Sequence, residues 1–344
     1  MHCRGHNNAS PISLFFYEQN KDFNKVNTLY FSMVTLKDIE SAHDRIRPFI
    51  HRTPVMTNQN LNILSGASLY FKCDNFQKAG SFKIRGATNI VEQLSQVELD
   101  RGVATTSSGN HGAALSMAVT RRGGKTKVVM PHNTPQMKVN NVERNGGEVV
   151  WCDPDQPSRE RVLGELVNKT GATVAHPYND ERIVAGQGTA AKELIEDYPD
   201  LDVIISPVSG GGLLSGTLLA AKGMKPEIVV YGAEPSEADD AYRSLQKGEI
   251  VANETIDTIC DGLRAQIGTI TFPIIQKYVD SIITVTETEI IEAMKMVWER
   301  MKIIAEPSSV ITLGALLKSK DRFSGKKVGL ILSGGNVDLN QLPW

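Results

Sequence analysis

Gly80-Ser81-Phe82-Lys83-Ile84-Arg85-Gly86-Ala87 sets one lysine among small residues at the opening of a helical pattern. Such a lysine fits an ordinary solvated side chain. Taken alone that is the better account, and the rival is an amine held in place to act as nucleophile and base. Three later turns bear on the choice, and each follows a β-rich run closely. Residues 103–106 lead into Ser107-Ser108-Gly109-Asn110-His111-Gly112, residues 203–207 into Ser209-Gly210-Gly211-Gly212, and residues 328–332 into Ser333-Gly334-Gly335-Asn336. A strand, a small-residue turn and a helix N-terminus together aim unpaired backbone N–H groups at an anion. Residues 209–212, before the apolar helix 213–221, suit a phosphate. They form no P-loop, because no Gly-Lys-Ser/Thr follows, and no Gly-x-Gly-x-x-Gly dinucleotide loop. Residues 107–112 suit a substrate carboxylate. Taken singly, each turn is also an acceptable helix cap.

Outward from these turns the chain alternates β-rich and helical patterns. Thr35 with Asp38 marks a capped helix start, followed by Ile39, Ala42, Ile46 and Phe49 at helical spacing. Short strands are predicted at 69–71, 103–106, 127–130, 148–151, 203–206, 228–231, 282–285 and 328–332, with helices between most of them. This is the pattern of an α/β protein with mostly parallel sheets. In such sheets the ligand site lies beyond the carboxyl ends of the strands, where the four quoted turns fall.

The chain has 344 residues, 41% hydrophobic and 22% charged, enough for two domains with separate cores. A net charge of −2 without a basic stripe argues against a nucleic-acid partner. No apolar run reaches the ~20 residues that a membrane helix needs. Cys3, Cys73, Cys152 and Cys260 lack metal-ligand spacing and read as reduced thiols of a cytoplasmic protein. Residues 1–32 show no clear period and read as a mobile extension, with Met33 as a possible alternative start. Leu14-Phe15-Phe16-Tyr17 is too short for a signal-peptide core, and the rival reading is an edge strand at 13–17.

The order of lysine turn, SSGNHG, SGGG and SGGN over roughly residues 34–340 resembles the fold-type II pyridoxal-phosphate (PLP) enzymes. Within them the chain is most similar to the serine racemases and the serine/threonine dehydratases. Further strings carry the likeness: Phe76-Gln77-Lys78, Ala185-Gly186-Gln187-Gly188-Thr189, Ala233-Glu234-Pro235, Trp298-Glu299-Arg300-Met301-Lys302 and Glu306-Pro307. The resemblance implies a tryptophan synthase β-like fold of two open, twisted, mostly parallel sheets flanked by helices. Residues 33–101 and 180–344 would form a large PLP-binding domain, with 102–179 inserted as a small one and the cofactor between them. A homodimer is expected.

The resemblance also implies roles. Lys83 would bond the cofactor aldehyde as a Schiff base and move protons at the substrate Cα. Ser209, Gly210, Gly211 and Gly212 would bind the phosphate, Asn110 the phenolic oxygen and Ser333 the pyridine nitrogen. A neutral serine at that nitrogen suits proton abstraction and β-elimination more than transamination. Racemisation needs a second acid/base on the opposite face of Cα, and Ser108 stands at that position, where dehydratases commonly carry alanine. The expected activity is interconversion of L- and D-serine, with β-elimination to pyruvate and ammonia beside it. An L-serine/threonine dehydratase with little racemisation is the alternative, and a non-catalytic amino-acid sensor is the alternative of another class.

Substrate contacts implied by position are Ser107, Asn110, His111 and Arg159. Ala265 stands where close relatives carry serine. Glu234, the Ala238 carbonyl and Asp240 would hold Mg²⁺ or Ca²⁺, whose preference is for hard oxygen ligands and retained water. The plain reading of that string is an acidic helix start. ATP is the implied effector, at Lys78, Arg300, Lys302 and Asn336. Ala79 and Asn145 depart there from the threonine and tyrosine of the mammalian pattern.

Overall fold

The computed structural model describes residues 34–107 and 109–344. The expectations for residues 1–32 and for Ser108 therefore lie outside the described residues. The first helix, Leu36–Ile46, begins at the expected capping box: Asp38 accepts from the Thr35 backbone amide and hydroxyl at 2.8 and 2.7 Å. Ile39, Ala42 and Ile46 are buried, while Phe49 falls beyond the helix end and stacks under Arg121.

Two sheets carry the fold. The larger has six strands in the order β1 (Val55–Met56), β2 (Ser68–Cys73), β10 (Lys327–Leu332), β7 (Val203–Pro207), β8 (Val229–Pro235) and β9 (Ser281–Val285). The smaller has the order β5 (Gly147–Cys152), β4 (Thr126–Pro131), β3 (Val103–Thr106) and β6 (Thr173–Val174). Every pairing is parallel except β1 with β2. All eight predicted strands are present. The two unpredicted ones, β1 and β6, have two residues each and are too short to show a period. The small sheet uses only residues 103–174, so the chain leaves the large sheet after β2 and returns to it at β7.

Strands β7 and β10 are apolar on both faces, as expected of parallel strands covered by helices on each side. Val328, Leu330 and Leu332 join one core cluster, which includes Val310 and Leu313 of the helix Pro307–Lys318. Ile331 and Ile204 join the other, with Leu194 of the helix Glu181–Asp197 and Leu218 of the helix Gly212–Met224.

The helix that opens with Lys83, Lys83–Val91, lies against Glu181–Asp197 at near backbone contact. A Cβ on Gly186 would sit 2.6 Å from the Gly86 Cα. The Gln187 side chain accepts from the Gly86 amide at 3.3 Å. Beside this crossing lies a buried charge quartet of Lys72, Asp74, Arg85 and Glu193. Arg85 forks onto Asp74 at 2.7 and 2.9 Å and onto Glu193 at 2.9 and 2.9 Å. Lys72 reaches Glu193 at 2.6 Å and the Thr53 carbonyl at 2.8 Å. Burial alone would raise the Glu193 carboxyl, but the Arg85 and Lys72 charges overcome it and hold the group at about 2.

Two cations and two carboxylates balance in this volume, and removing one leaves a buried charge uncompensated. Asp74→Asn is therefore expected to cost about 3–5 kcal/mol. The midpoint of urea unfolding measures this, and an unchanged midpoint would show that the quartet does not determine stability.

Candidate active site

The lysine turn and the final glycine turn are zipped together. Ser81 bridges Gly334, the Phe82 amide donates to the Ser333 carbonyl at 2.8 Å, and Gly335 donates to the Gly80 carbonyl at 2.9 Å. Lys83 thus stands beside Ser333, which is itself 3% exposed. The Lys83 amine donates to the Pro177 carbonyl at 2.9 Å. Burial lowers its pKa to about 8, against an opposing pull from the Glu306 charge.

Glu306 is a buried carboxyl at the start of the helix Pro307–Lys318. Asn110 donates to both of its oxygens at 2.9 and 3.1 Å, and the Asn336 amide donates at 3.1 Å. The Asn336 side chain donates in turn to the Asn110 carbonyl oxygen at 2.8 Å and to the Ala79 carbonyl at 2.9 Å. Burial, then the Asp261 charge, push Glu306 up to about 8. Glu306 was legible only as part of the Glu306-Pro307 string, to which no role attached. Here it ties the SSGNHG turn to the SGGN turn. The Asn110 side chain, expected to meet a phenolic oxygen, is engaged with Glu306 and Asn336.

The glycine loop lies between β7 and the helix Gly212–Met224. The Ser209, Gly210 and Gly211 amides donate to no protein group among the described residues, which is the condition for an anion site. A Cβ on Gly210 would lie 2.3 Å from the Tyr178 ring, so a side chain there is excluded. The Ser209 hydroxyl donates to the Ala265 carbonyl at 3.1 Å and accepts its amide at 3.0 Å. These free donors, the buried lysine amine and the neutral Ser333 hydroxyl suit an aldehyde-bearing phosphate with a pyridine ring.

The proposed substrate residues divide. The Ser107 oxygen accepts from Gly112 at 3.1 Å and from Gly109 at 3.4 Å, and so caps the helix Asn110–Arg121. His111 donates Nε2–H to the Ala175 carbonyl at 3.2 Å, and its buried Nδ1 has no partner among the described residues. Burial first and the Lys83 charge second lower His111 to about 3, so its ring is neutral. Arg159 forms no ion pair among the described residues, and its buried Nε is unpartnered. It lies in the first turn of the helix Gln156–Thr170, which follows β5 of the small sheet.

The Glu234 carboxylate accepts from Ala241 and Tyr242 at 3.0 and 2.8 Å. Asp240 accepts from Ile267 at 2.7 Å, while its buried Oδ1 has no partner among the described residues. Burial and the Asp240 charge push Glu234 well up, and burial raises Asp240 to about 6. Two crowded carboxyls, one with an orphaned oxygen, suit a hard divalent cation. No group of three or more His, Cys, Asp or Glu side chains suited to a metal occurs among the described residues. Arg300 lies within the π-helical turn Val297–Met301. Lys302 follows it with φ of 59°, and both are exposed. Lys78 is half-buried in the short turn that leads to Lys83.

Residues 46–334 match the family described as pyridoxal-phosphate dependent enzyme. The chain belongs to that family. It is 51% identical to the serine racemase of Dictyostelium discoideum, over 90% of this chain and 97% of that one. It is 47% identical to a beta-hydroxyaspartate dehydratase of Paracoccus denitrificans, over 90% and 98%. The solved structure of maize serine racemase superposes with a TM-score of 0.88 at 44% identity, over 90% and 95%. The fold-type II architecture of this PLP family, two mostly parallel sheets flanked by helices, is the one described above. No helix of the described residues is long and apolar enough to cross a membrane.

Proposed function

We propose that this chain interconverts L- and D-serine with PLP and also eliminates water from serine to give pyruvate and ammonia. The observation that carries the reading is the buried Lys83 amine, held at the Pro177 carbonyl, with the Ser333 turn on one side and, against the adjacent Tyr178 ring, the glycine loop with its free amides. The similarity to serine racemases of two organisms supports the choice of substrate. When bound, the cofactor supplies an electron sink that lets the substrate Cα release its proton.

The protein's own residues supply the rest. The amides of residues 209–212 hold the phosphate and Ser333 faces the pyridine nitrogen, while Asn110 and Glu306 lock the opposite edge of the cleft. His111, whose ring is neutral, and Arg159, without an ion pair among the described residues, would contact the single carboxylate of serine. Lys83 removes the Cα proton of L-serine, and Ser108 returns one from the other face. In the competing branch the β-hydroxyl leaves once Cα has lost its proton. The inserted unit 102–179 is the small domain in this reading, and its closure over substrate excludes water. The working form is a homodimer in the cytoplasm. Glu234, Ala238 and Asp240 would hold Mg²⁺ or Ca²⁺, with a structural effect on the turn they share. Lys78, Arg300, Lys302 and Asn336 would form the ATP effector site, altered by Ala79 and Asn145.

Incubation with L-serine, followed by simultaneous quantification of D-serine and pyruvate, tests the central reading. Both products are expected. Lys83→Ala is expected to lose both, together with the absorbance of the bound cofactor. Either activity at near wild-type rate in that variant would refute the assignment.

Ser108→Ala is expected to separate the branches. Elimination from L-serine survives, because it needs nothing from the second face. D-serine formation falls by ~10²-fold or more, the scale for deleting an acid/base group. Racemisation at the wild-type rate would place the second proton elsewhere.

Chelation by EDTA is expected to lower the unfolding temperature, and added Mg²⁺ or Ca²⁺ to restore it, since Glu234 and Asp240 otherwise repel each other. An unchanged unfolding temperature after verified metal removal would exclude the metal site.

A further inference from the structure

The segment from Ala175 to Asn179 carries the chain from the small sheet back to the large one, and Ala175, Pro177 and Tyr178 each touch a different part of the site. The Ala175 carbonyl holds His111 and the Pro177 carbonyl holds the Lys83 amine at 2.9 Å. The Tyr178 ring covers Gly210, and the Asn179 side chain accepts the Ile270 amide at 2.8 Å. His176 sets the shape of this turn. Its Nδ1 accepts the Asn179 amide at 2.9 Å and the Tyr178 amide at 3.3 Å, and its ring meets the Tyr178 ring edge-on at 4.6 Å. Pro177 has no amide of its own, so within the turn the two amides that follow it are held by His176, while Ala175 and Asn179 tie its ends to Ala104 and Ile270.

We infer that His176 is a positioning residue for Lys83. By accepting two backbone amides it aims the Pro177 carbonyl as the docking point of the lysine amine whenever that amine is free of the cofactor. The inference rests on the proposed role of Lys83. One acceptor on one N–H holds the position of the nitrogen and leaves its lone pair free to take a proton. In the step served, the Cα–H bond breaks, its electron pair stays with carbon, and the Lys83 lone pair forms the new N–H bond. The imidazole takes no proton: Nδ1 is occupied by backbone donors, and burial followed by the Lys83 charge lowers its pKa to about 4.

The test uses His176→Phe, which keeps an aromatic ring without the acceptor, and His176→Asn, whose side-chain oxygen can accept the same amides as an Asx turn does. Serine binding is read from the change in cofactor absorbance, and proton removal from exchange of the Cα hydrogen in D₂O. In His176→Phe, the apparent Kd is expected to stay unchanged while exchange falls by ~10²-fold, the scale of a 1 Å misplacement. His176→Asn is expected to restore exchange. A wild-type exchange rate in His176→Phe would overturn the inference, as would binding and exchange falling together. If His176→Phe does not fold, His176→Asn carries the test alone, and loss of exchange there would assign the imidazole a direct role instead. Borohydride reduction and peptide mapping of each variant keep the two readings apart. Cofactor found on a residue other than Lys83 refutes the role of Lys83, whatever His176 does.

Discussion

Arg85 lies two residues beyond Lys83 and has no exposed surface, so the helix that opens with Lys83 is anchored by a charge that must be neutralised in place. A guanidinium offers five donors in a rigid plane, and here two carboxylates receive them as forks. Asp74 comes from the end of β2 and Glu193 from the long helix behind the sheet. One side chain therefore fixes the Lys83 helix against two separate elements. Lys72 completes the balance, so that Glu193 carries its charge deep in the protein. A lysine substituted for Arg85 could satisfy one carboxylate but not both in this geometry.

The zipped turns give the site a second constraint. The backbone bonds between residues 80–82 and 333–335 place a hydroxyl beside the lysine without help from any ligand. Asn110, Glu306 and Asn336 then join this pair to the start of the helix Asn110–Arg121 in the other sheet's unit. Glu306 is shared between the two turns and the helix start, receiving donors from Asn110 and Asn336. A change in how far these are apart would alter the hydrogen bonds that Glu306 receives.

Much of this was legible in the sequence because glycines and strand ends mark it. The eight longer strands, the capping box at Thr35 and the four turns all rest on local chemistry. The Ala185-Gly186-Gln187-Gly188-Thr189 string was readable as a family mark. Its physical reason emerges only from the fold: Gly186 lets the Lys83 helix approach, Gln187 accepts the Gly86 amide and Thr189 accepts from Arg85. The charge quartet was not legible, since a lysine at position 72 within a β-rich run gives no sign of a partner 121 residues away. Nor was the turn at His176, whose partners are backbone amides and a carbonyl. The helix cap that Ser107 forms was not read from the sequence, where the residue stood only as a substrate contact; serine after a strand serves such local backbone bonds readily.

The position of β10 in the large sheet has a consequence for how the molecule comes to exist. This strand, the last in the chain, fills the gap between β2 and β7. Until it emerges from the ribosome, both neighbours expose an unpaired parallel edge flanked by apolar residues, a state prone to association. In the native sheet the two halves have no direct pairing and are joined only through β10. Long-range parallel pairing of this kind is also slow to form. Nascent chains stalled before residue 327 should therefore depend on chaperones, and acquisition of the cofactor should report completion of the whole chain.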